Sequence, residues 1–344
     1  MALRRLPWGR LRGANNEGFL ALAILLLALL VGFSSSSFWS VSTLLNVATS
    51  SLENVVFAMG VLLVIVSGGI DVSFMAIGIF AGYAVIVFTN ATGFGAADPL
   101  VGFALAITIG LGLGLLNALA IAGLRLPTLI ATLGTQGIIR GAMLVFIGSK
   151  VIPDYPAGLN TLSTTYLITA HDVFDTRLSV LIIPSVLICV AVSLLLRYTL
   201  IGRGIYAIGG DTESARRAGF PIVGLKVFIY LAAGALAGIA GMMHVTQVRL
   251  ANPYELVGGE LDIIAAVVLG GASVFGGKGS VSGTVLGVVL ISLIKNSLIL
   301  LGVPGSWQRA AVGLLLLIGL SAQALSARGR RRRGDVVEAE GELA

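Results

Sequence analysis

Charge is scarce in this chain. Asp, Glu, Lys and Arg together make up 11% of its 344 residues, where an average soluble domain carries about 25%. Cysteine is scarcer still. Cys189 stands alone in the apolar run Ser179–Leu196, which excludes an internal disulfide and any metal site built from thiolates. It reads as a small core residue. The two histidines, His171 and His244, are too few and too far apart to suggest a metal cluster, and read as polar or interfacial side chains. A nucleotide-binding loop is also missing. That motif needs Gly, four residues, then Gly-Lys-Ser/Thr. The nearest approach, Gly277-Lys278, has Ala272 in place of the first glycine and Gly279 in place of the hydroxyl. No nucleophile–base pair is recognisable, so the chain reads as a non-enzyme without a cofactor of its own. No cleavable leader is evident either. The basic start (Arg4, Arg5, Arg10, Arg12) leads into an apolar run that ends in Ser34–Ser37, Phe38 and Trp39 without a small-x-small site, which fits a retained first span.

What is present is apolar surface: 57% of residues are hydrophobic and the mean hydropathy is +1.01. A soluble fold cannot hide that much, so the lipid bilayer must be part of the solvent. A helix needs about 20 residues to cross a hydrocarbon core of about 30 Å. Ten segments meet or approach that length: 18–34, 43–66, 72–90, 99–123, 128–148, 178–197, 226–247, 261–275, 282–301 and 308–326. The eighth is short and bounded by glycine, as in a broken or tilted helix. The expected fold is an all-α polytopic membrane protein of about ten transmembrane helices. A basic segment 1–17 would precede a membrane-embedded body 18–326, and a charged tail 327–344 would follow it.

Lys and Arg in loops set orientation. With ten spans, 16 of the 22 basic residues fall on one side, including both arginine-rich ends, which places both termini in the cytoplasm. The other six are Arg140, Lys150, Arg177, Arg249, Lys295 and Arg309. Loop 149–177 would then face the periplasm and loop 197–226 the cytoplasm. The two halves echo each other weakly. Gly68-Gly69-Ile70-Asp71 is echoed by Gly258-Gly259-Glu260-Leu261-Asp262, and Asn117 and Pro127 by Asn296 and Pro304. Five spans per repeat require inverted topology, a five-plus-five arrangement common among transporters. Glycines at four-residue spacing (Gly78/Gly82, Gly110/Gly114, Gly234/Gly238, Gly283/Gly287) mark close helix crossings, because small residues let backbones approach in lipid.

The most informative polar stretch is the loop 197–226. Asp211 is a good N-cap, Gly219 a good C-cap, and Pro221 follows. Glu213 early and Arg216 and Arg217 late suit the helix dipole. The signals predict a short helix near 212–218, lying on the cytoplasmic surface and suited to docking a partner; a plain connector is the alternative. Ionisable groups within spans are costly and are functional candidates by default. Asp71 begins the third span, Glu260 and Asp262 the eighth, and Arg140 and Lys295 lie inside apolar runs. The plainer reading of each is a residue that reaches the interface or pairs internally.

Several stretches together resemble one family. Gly69-Ile70-Asp71-Val72-Ser73, Pro127–Thr135 with Arg140-Gly141, Gly202–Gly219, Glu260–Gly271 continuing through Gly276–Thr284, and Asn296 with Leu300–Val303 are similar, in order, to signatures of simple-sugar ABC importer permeases of the ribose, galactose and xylose type. The resemblance covers about residues 40–320. One departure stands out: the family usually continues Asp-Leu-Ser-Val-Gly, whereas here Asp71-Val72-Ser73 is followed by the bulky Phe74-Met75, which bears on substrate preference. The resemblance implies an inner-membrane permease subunit that translocates a monosaccharide or related small polyol. Its implied partners are a second permease chain, identical or related, cytoplasmic ATPases that bind ATP and Mg²⁺, and a periplasmic sugar-binding protein; no nucleic acid is involved. Asp71, Asn117, Arg140, Glu260 and Asn296 become pathway candidates, since an unmatched polar group in an apolar bundle costs about 1–3 kcal/mol. Asp211, Glu213, Ala215, Arg216, Arg217 and Gly219 become the ATPase-coupling candidates. The other classes to weigh are a branched-chain amino-acid ABC permease, a proton-coupled secondary transporter using Asp71, Glu260 or Asp262, and a membrane scaffold.

Overall fold

The computed structural model describes residues 17–171 and 175–304, together with 307, 308, 310, 311, 313, 314 and 317. Helices stand in nine of the ten expected segments: α1 (Glu17–Ser34), α2 (Val41–Val66), α3 (Phe74–Thr92), α4 (Pro99–Ala118), α5 (Thr128–Ala142), α7 (Ile182–Tyr198), α10 (Ile222–Val248), α11 (Glu260–Leu269) and α12 (Val281–Leu300). The tenth segment lies mostly outside the described residues. Five-residue wider turns extend α4 to Gly123 and α5 to Ile147. So extended, α2, α3, α4, α5, α10 and α12 are each long and apolar enough to cross a membrane. A seventh crossing arises if α7 and the helix after it, α8 (Leu200–Gly210), form one span bent by 73° at Thr199. The apolar part of α1 covers only Leu20–Ser34, and α11 has ten residues. The chain is thus a polytopic helical membrane protein.

The core forms around α2, which is buried almost continuously from Val55 to Val66, and around α10, which crosses α3 and α4. Glycine decides how close those crossings are. A Cβ added to Gly114 would lie 2.5 Å from the Tyr230 carbonyl oxygen and 3.1 Å from Gly234 Cα; one on Gly234 would lie 2.8 Å from Gly114 Cα. Gly82 meets Gly241 across α3 and α10, and Gly283 and Gly287 meet Gly270 and Ala266 across α12 and α11. All four glycine pairs read from the sequence therefore sit at helix crossings, where backbones meet and gain dispersion contacts that larger residues would prevent.

Three elements were not anticipated. The loop after α5 folds into a short helix, α6 (Ala157–Thr164), and an antiparallel hairpin, β1 (Tyr166–His171) with β2 (Asp175–Ser179). Tyr83 OH donates to the Lys150 carbonyl (2.9 Å) and Asn90 to that of Asp154 (3.1 Å), which ties this layer to α3. The third is α8. Beyond it stands α9 (Thr212–Arg217), at the place the capping signals predict. At the end of α2 three segments meet backbone to backbone. The Gly277 N–H donates to the Val66 carbonyl at 2.8 Å, and Gly209 of α8 abuts both. Gly68, Gly276 and Gly277 all have positive φ (84°, 85° and 71°), a conformation that disfavours any side chain. Tyr206 OH adds a bond to the Gly279 carbonyl at 2.8 Å.

Candidate functional site

Helix α5 is apolar over most of its surface, yet Thr128, Thr132, Thr135, Gln136 and Arg140 recur at helical spacing and share one face. Twelve residues of α-helix rise about 18 Å, so this stripe runs through much of a membrane's thickness. Its partners are two unwound segments. The first is 67–73, between α2 and α3. There Thr128 Oγ1 accepts the Ile70 N–H (3.1 Å), while Thr132 Oγ1 accepts that of Val72 and donates to the Ile70 carbonyl (both 3.3 Å). Threonine hydroxyls on a neighbouring helix thus satisfy backbone groups freed by the break, which a membrane interior would otherwise leave unpaired.

Asp71 sits in that break, 2% exposed. Its Oδ1 accepts both the N–H and the hydroxyl of Ser73, each at 2.7 Å. Asn117 of α4 donates to Ser73 Oγ at 2.7 Å, and Thr135 donates to Asn117 Oδ1 at 2.5 Å. The links join end to end as a hydrogen-bonded chain, Thr135–Asn117–Ser73–Asp71. One residue further along α5, Gln136 donates to Glu260 Oε1 at 2.8 Å, and Arg140 forms an ion pair with the same oxygen. Glu260 opens α11 directly after the second unwound segment, 249–259. A single helix face therefore joins both breaks, and with them Asp71, Asn117, Arg140 and Glu260. Two further groups beside it, Arg140 Nε and Tyr230 OH, are buried without a protein partner.

Asn296 is not part of this file. Its Nδ2 donates to Ser50 Oγ (3.1 Å) and to the Ser292 carbonyl (2.9 Å), on the side of α12 that faces α2. Sequence reasoning missed Ser73, Thr128, Thr132, Thr135 and Gln136. The hydroxyls at i, i+4 and i+7 of an apolar helix were the available signal.

At α9 the caps take the form their residues favour. Asp211 accepts the Ser214 N–H at 2.6 Å. Hydrogen bonds from Ser214, side chain first and then backbone, hold the Asp211 carboxyl below its usual range, with Arg217 adding to the effect. The cap is therefore present above the ordinary carboxylate range and is lost as pH falls through the lowered value. At the other end Gly219 (φ 86°) places its N–H on the Arg216 carbonyl (3.0 Å) and the Phe220 N–H on that of Ala215 (3.1 Å), the paired bonds of a Schellman motif. Glu213, Arg216 and Arg217 are exposed, and Glu213 pairs with Arg216 at 2.6 Å. Ala215 faces inward, 3% exposed, in a cluster with Ile208 and Leu225.

Residues 43–320 match the family described as branched-chain amino acid transport system / permease component. The chain belongs to that family. This permease is 35% identical over 303 residues to the autoinducer 2 import system permease protein LsrC of Yersinia enterocolitica, covering 88% of this chain and 81% of the relative. Its identity to the LsrC proteins of Yersinia pestis strain Pestoides F and Yersinia pseudotuberculosis serotype O:1b is 34%, over 88% of this chain and 83% of each relative. No solved structure matches it. The matched span agrees with the stretch of about 40–320 that carries the sequence resemblance, and family membership makes the protein a multi-pass permease of the inner membrane.

Proposed function

We propose that this chain is the membrane-spanning subunit of an ATP-driven importer for a small sugar-type molecule. The observation that carries the reading is the hydrogen-bonding file on α5 inside an otherwise apolar bundle, in a chain similar over most of its length to import permeases for autoinducer-2, a sugar-like molecule. Hydroxyl and amide groups of this kind can exchange partners with a polyol at little net cost, because each bond lost to the protein is replaced by one to the substrate. Asp71, Asn117, Arg140 and Glu260 would form the pathway in this reading; Asn296, apart from the file, would help fasten α12 to α2. ATP and Mg²⁺ would bind to separate cytoplasmic ATPases, a periplasmic binding protein would deliver the substrate, and a second permease chain would complete the channel.

The topology in this reading is ten spans in a five-plus-five inverted repeat with both ends cytoplasmic. Two features support it. Ser280 and Ser282, at the start of α12, donate to Glu17 at the start of α1 (2.7 and 2.5 Å), next to the glycine joint with α8, so the N-terminal end and the proposed coupling loop share a side. In addition, Asn117 reaches the first break through Ser73, while Lys295, beside the echo residue Asn296, pairs with Asp262 just after the second.

The test is uptake by cells expressing the permease with its ATPase and binding protein. Uptake of a labelled sugar-type substrate should fail on ATP depletion, survive a protonophore and resist competition by leucine. Survival of ATP depletion would mean a secondary transporter. Competition by leucine would favour the branched-chain amino-acid reading that the family description carries.

Within the complex α9 would dock on the ATPase, presenting Glu213, Arg216 and Arg217, with Asp211 and Gly219 fixing its ends and Ala215 anchoring it from beneath. Reversing charge at both Arg216 and Arg217 should leave membrane insertion unchanged yet uncouple ATP hydrolysis from uptake by roughly tenfold or more, the scale of a few rim charge contacts at ~1 kcal/mol each. A cysteine at the exposed Ala218 should cross-link to the ATPase in the same complex. If the doubly reversed variant transports normally and no cross-link forms, α9 is only a connector.

A further inference from the structure

A second polar site lies apart from the α5 file. Between α2, the first turn of α3, α11 and α12 is a cavity of about 180 Å³ whose wall includes Glu53, Asn54, Asp262, Ser292 and Lys295. A single water needs only about 10–15 Å³ of such space, so the cavity takes a molecule many times larger. A neighbouring cavity of about 300 Å³, bounded by the Val257–Gly258 turn, shares Asp262 and Lys295 with the first. Lys295 Nζ donates to Asp262 Oδ2 at 2.5 Å, with the two side chains 35% and 19% exposed. The ion pair thus stands on the wall common to both spaces.

The chemistry of the wall narrows what could occupy it. Lys295 offers donors, Glu53 and Asp262 offer acceptors, and Asn54 and Ser292 offer both. The charges of Lys295 and Asp262 cancel, and both carboxylate oxygens of Glu53 face His244 Nδ1 at 2.9 and 3.0 Å. A phosphorylated sugar would meet Glu53 and Asp262 with like charge, and a zwitterion would have to split an ion pair already made. An uncharged polyhydroxylated ring asks for neither, since each of its hydroxyls both donates and accepts. Met75 supplies an apolar patch for the C–H face of such a ring. It is one of the two bulky residues at which the sequence departs from the sugar-permease signature. Successive helical residues are turned by about 100°, so Asp262 points roughly opposite to Glu260 from the first turn of α11: one carboxylate serves the α5 file, the other the cavity.

We propose that this cavity is a binding site for an uncharged polyhydroxylated molecule of monosaccharide size, held by Asp262 and Lys295 on one side and Asn54 on the other. Its use in transport rests on the import reading; the binding itself does not. The site is tested with Cys189 replaced by Ser and a new cysteine placed in the wall, either Leu256→Cys, which lines both cavities, or the near-isosteric Ser292→Cys. The full complex, without ATP, is treated with a small water-soluble methanethiosulfonate. D-ribose, D-xylose, D-galactose and autoinducer-2 are the protecting probes, with L-leucine and ribose 5-phosphate as charged controls. At least one uncharged probe should slow modification roughly fivefold or more at concentrations well above its dissociation constant, and neither control should. The site is refuted if none of the four slows the reaction, if a charged control slows it equally, or if the reagent fails to reach the cysteine in either variant that elutes as the native complex. Protection without ATP-driven uptake would overturn the import reading alone. ATP-driven uptake of the same probe without protection would overturn the site alone.

Discussion

Arg140→Ala is expected to lower uptake at least a hundredfold per molecule inserted. The substitution leaves Glu260, whose side chain is 9% exposed, with Gln136 as its remaining side-chain partner. Removing one member of a buried ion pair costs about 3–5 kcal/mol, because the other charge stays buried without its counterpart, and a low-dielectric membrane interior offers it no relief. The loss should appear in two ways. The protein should be less stable in detergent, and the fraction that remains folded should still transport poorly, because Glu260 no longer holds the start of α11 against α5. Pairing Arg140→Gln with Glu260→Gln removes both charges and keeps hydrogen-bonding amides, so the double variant should be more stable than Arg140→Ala. Initial uptake rates normalised to membrane-inserted protein, with thermal unfolding of the purified chain, separate the two effects. Wild-type uptake by Arg140→Ala would remove the α5 file from the pathway.

Gly234→Val is expected to remove most of the folded protein. The added Cβ would lie 2.8 Å from Gly114 Cα and 3.0 Å from Gly114 N, backbone atoms that cannot turn aside as a side chain can. Overpacking a well-fitted contact costs about 1–3 kcal/mol and occasionally more. A clash with helix backbone belongs at the upper end, and that is a large part of the 5–15 kcal/mol that typically holds a fold together. Gly112→Val is the control on the facing helix. Gly112 is exposed, and nothing lies within 4 Å of a Cβ there, so that variant should accumulate like the wild type. The ratio of monodisperse protein recovered from the two decides the matter, and equal recovery would mean that the crossing of α4 and α10 tolerates a branched side chain.

The helices were legible because a membrane span writes itself in a long apolar run, and the close crossings because only glycine allows them. The ends of α9 were legible for a local reason: Asp211 and Gly219 each meet a backbone need within three residues of themselves. Elements whose stability comes from distant contacts were not. The sequence of α8, with Gly202, Gly204, Gly209 and Gly210, reads as a loop; it is helical because Thr199 caps it and because Gly202 fits against α7, Gly204 against Leu225 and Phe220, and Gly209 against the end of α2 and the Gly277 turn. The β1–β2 hairpin is short and mixed in polarity, so it gave no periodic signal strong enough to separate it from a polar loop. Asp71, Asn117, Arg140 and Glu260 stood out as polar groups in apolar runs, and they meet. Asn296 stood out for the same reason and does not meet them, since rarity marks a residue as needing a partner without saying which one. The threonines of α5 stood out only as part of a family signature and not as site residues, because a hydroxyl can satisfy itself on its own helix; their role appears only once the break at 67–73 is seen beside them.

The meeting of Val66, Gly209 and Gly277 also has a mechanical meaning. Most contacts between helices are cushioned: a side chain can change rotamer and absorb a small displacement before the neighbouring backbone feels it. Here no side chain lies between the parts, and the Gly277 N–H grips the last carbonyl of α2 directly. Helix α8 passes into α9 at this same end, because Gly209 stands two residues before the Asp211 cap, while its other end, about 16 Å away, joins α7 at Thr199. In the proposed complex, a displacement of α9 would meet the end of α2 through backbone alone, five residues before Asp71 and the polar chain that Asp71 anchors.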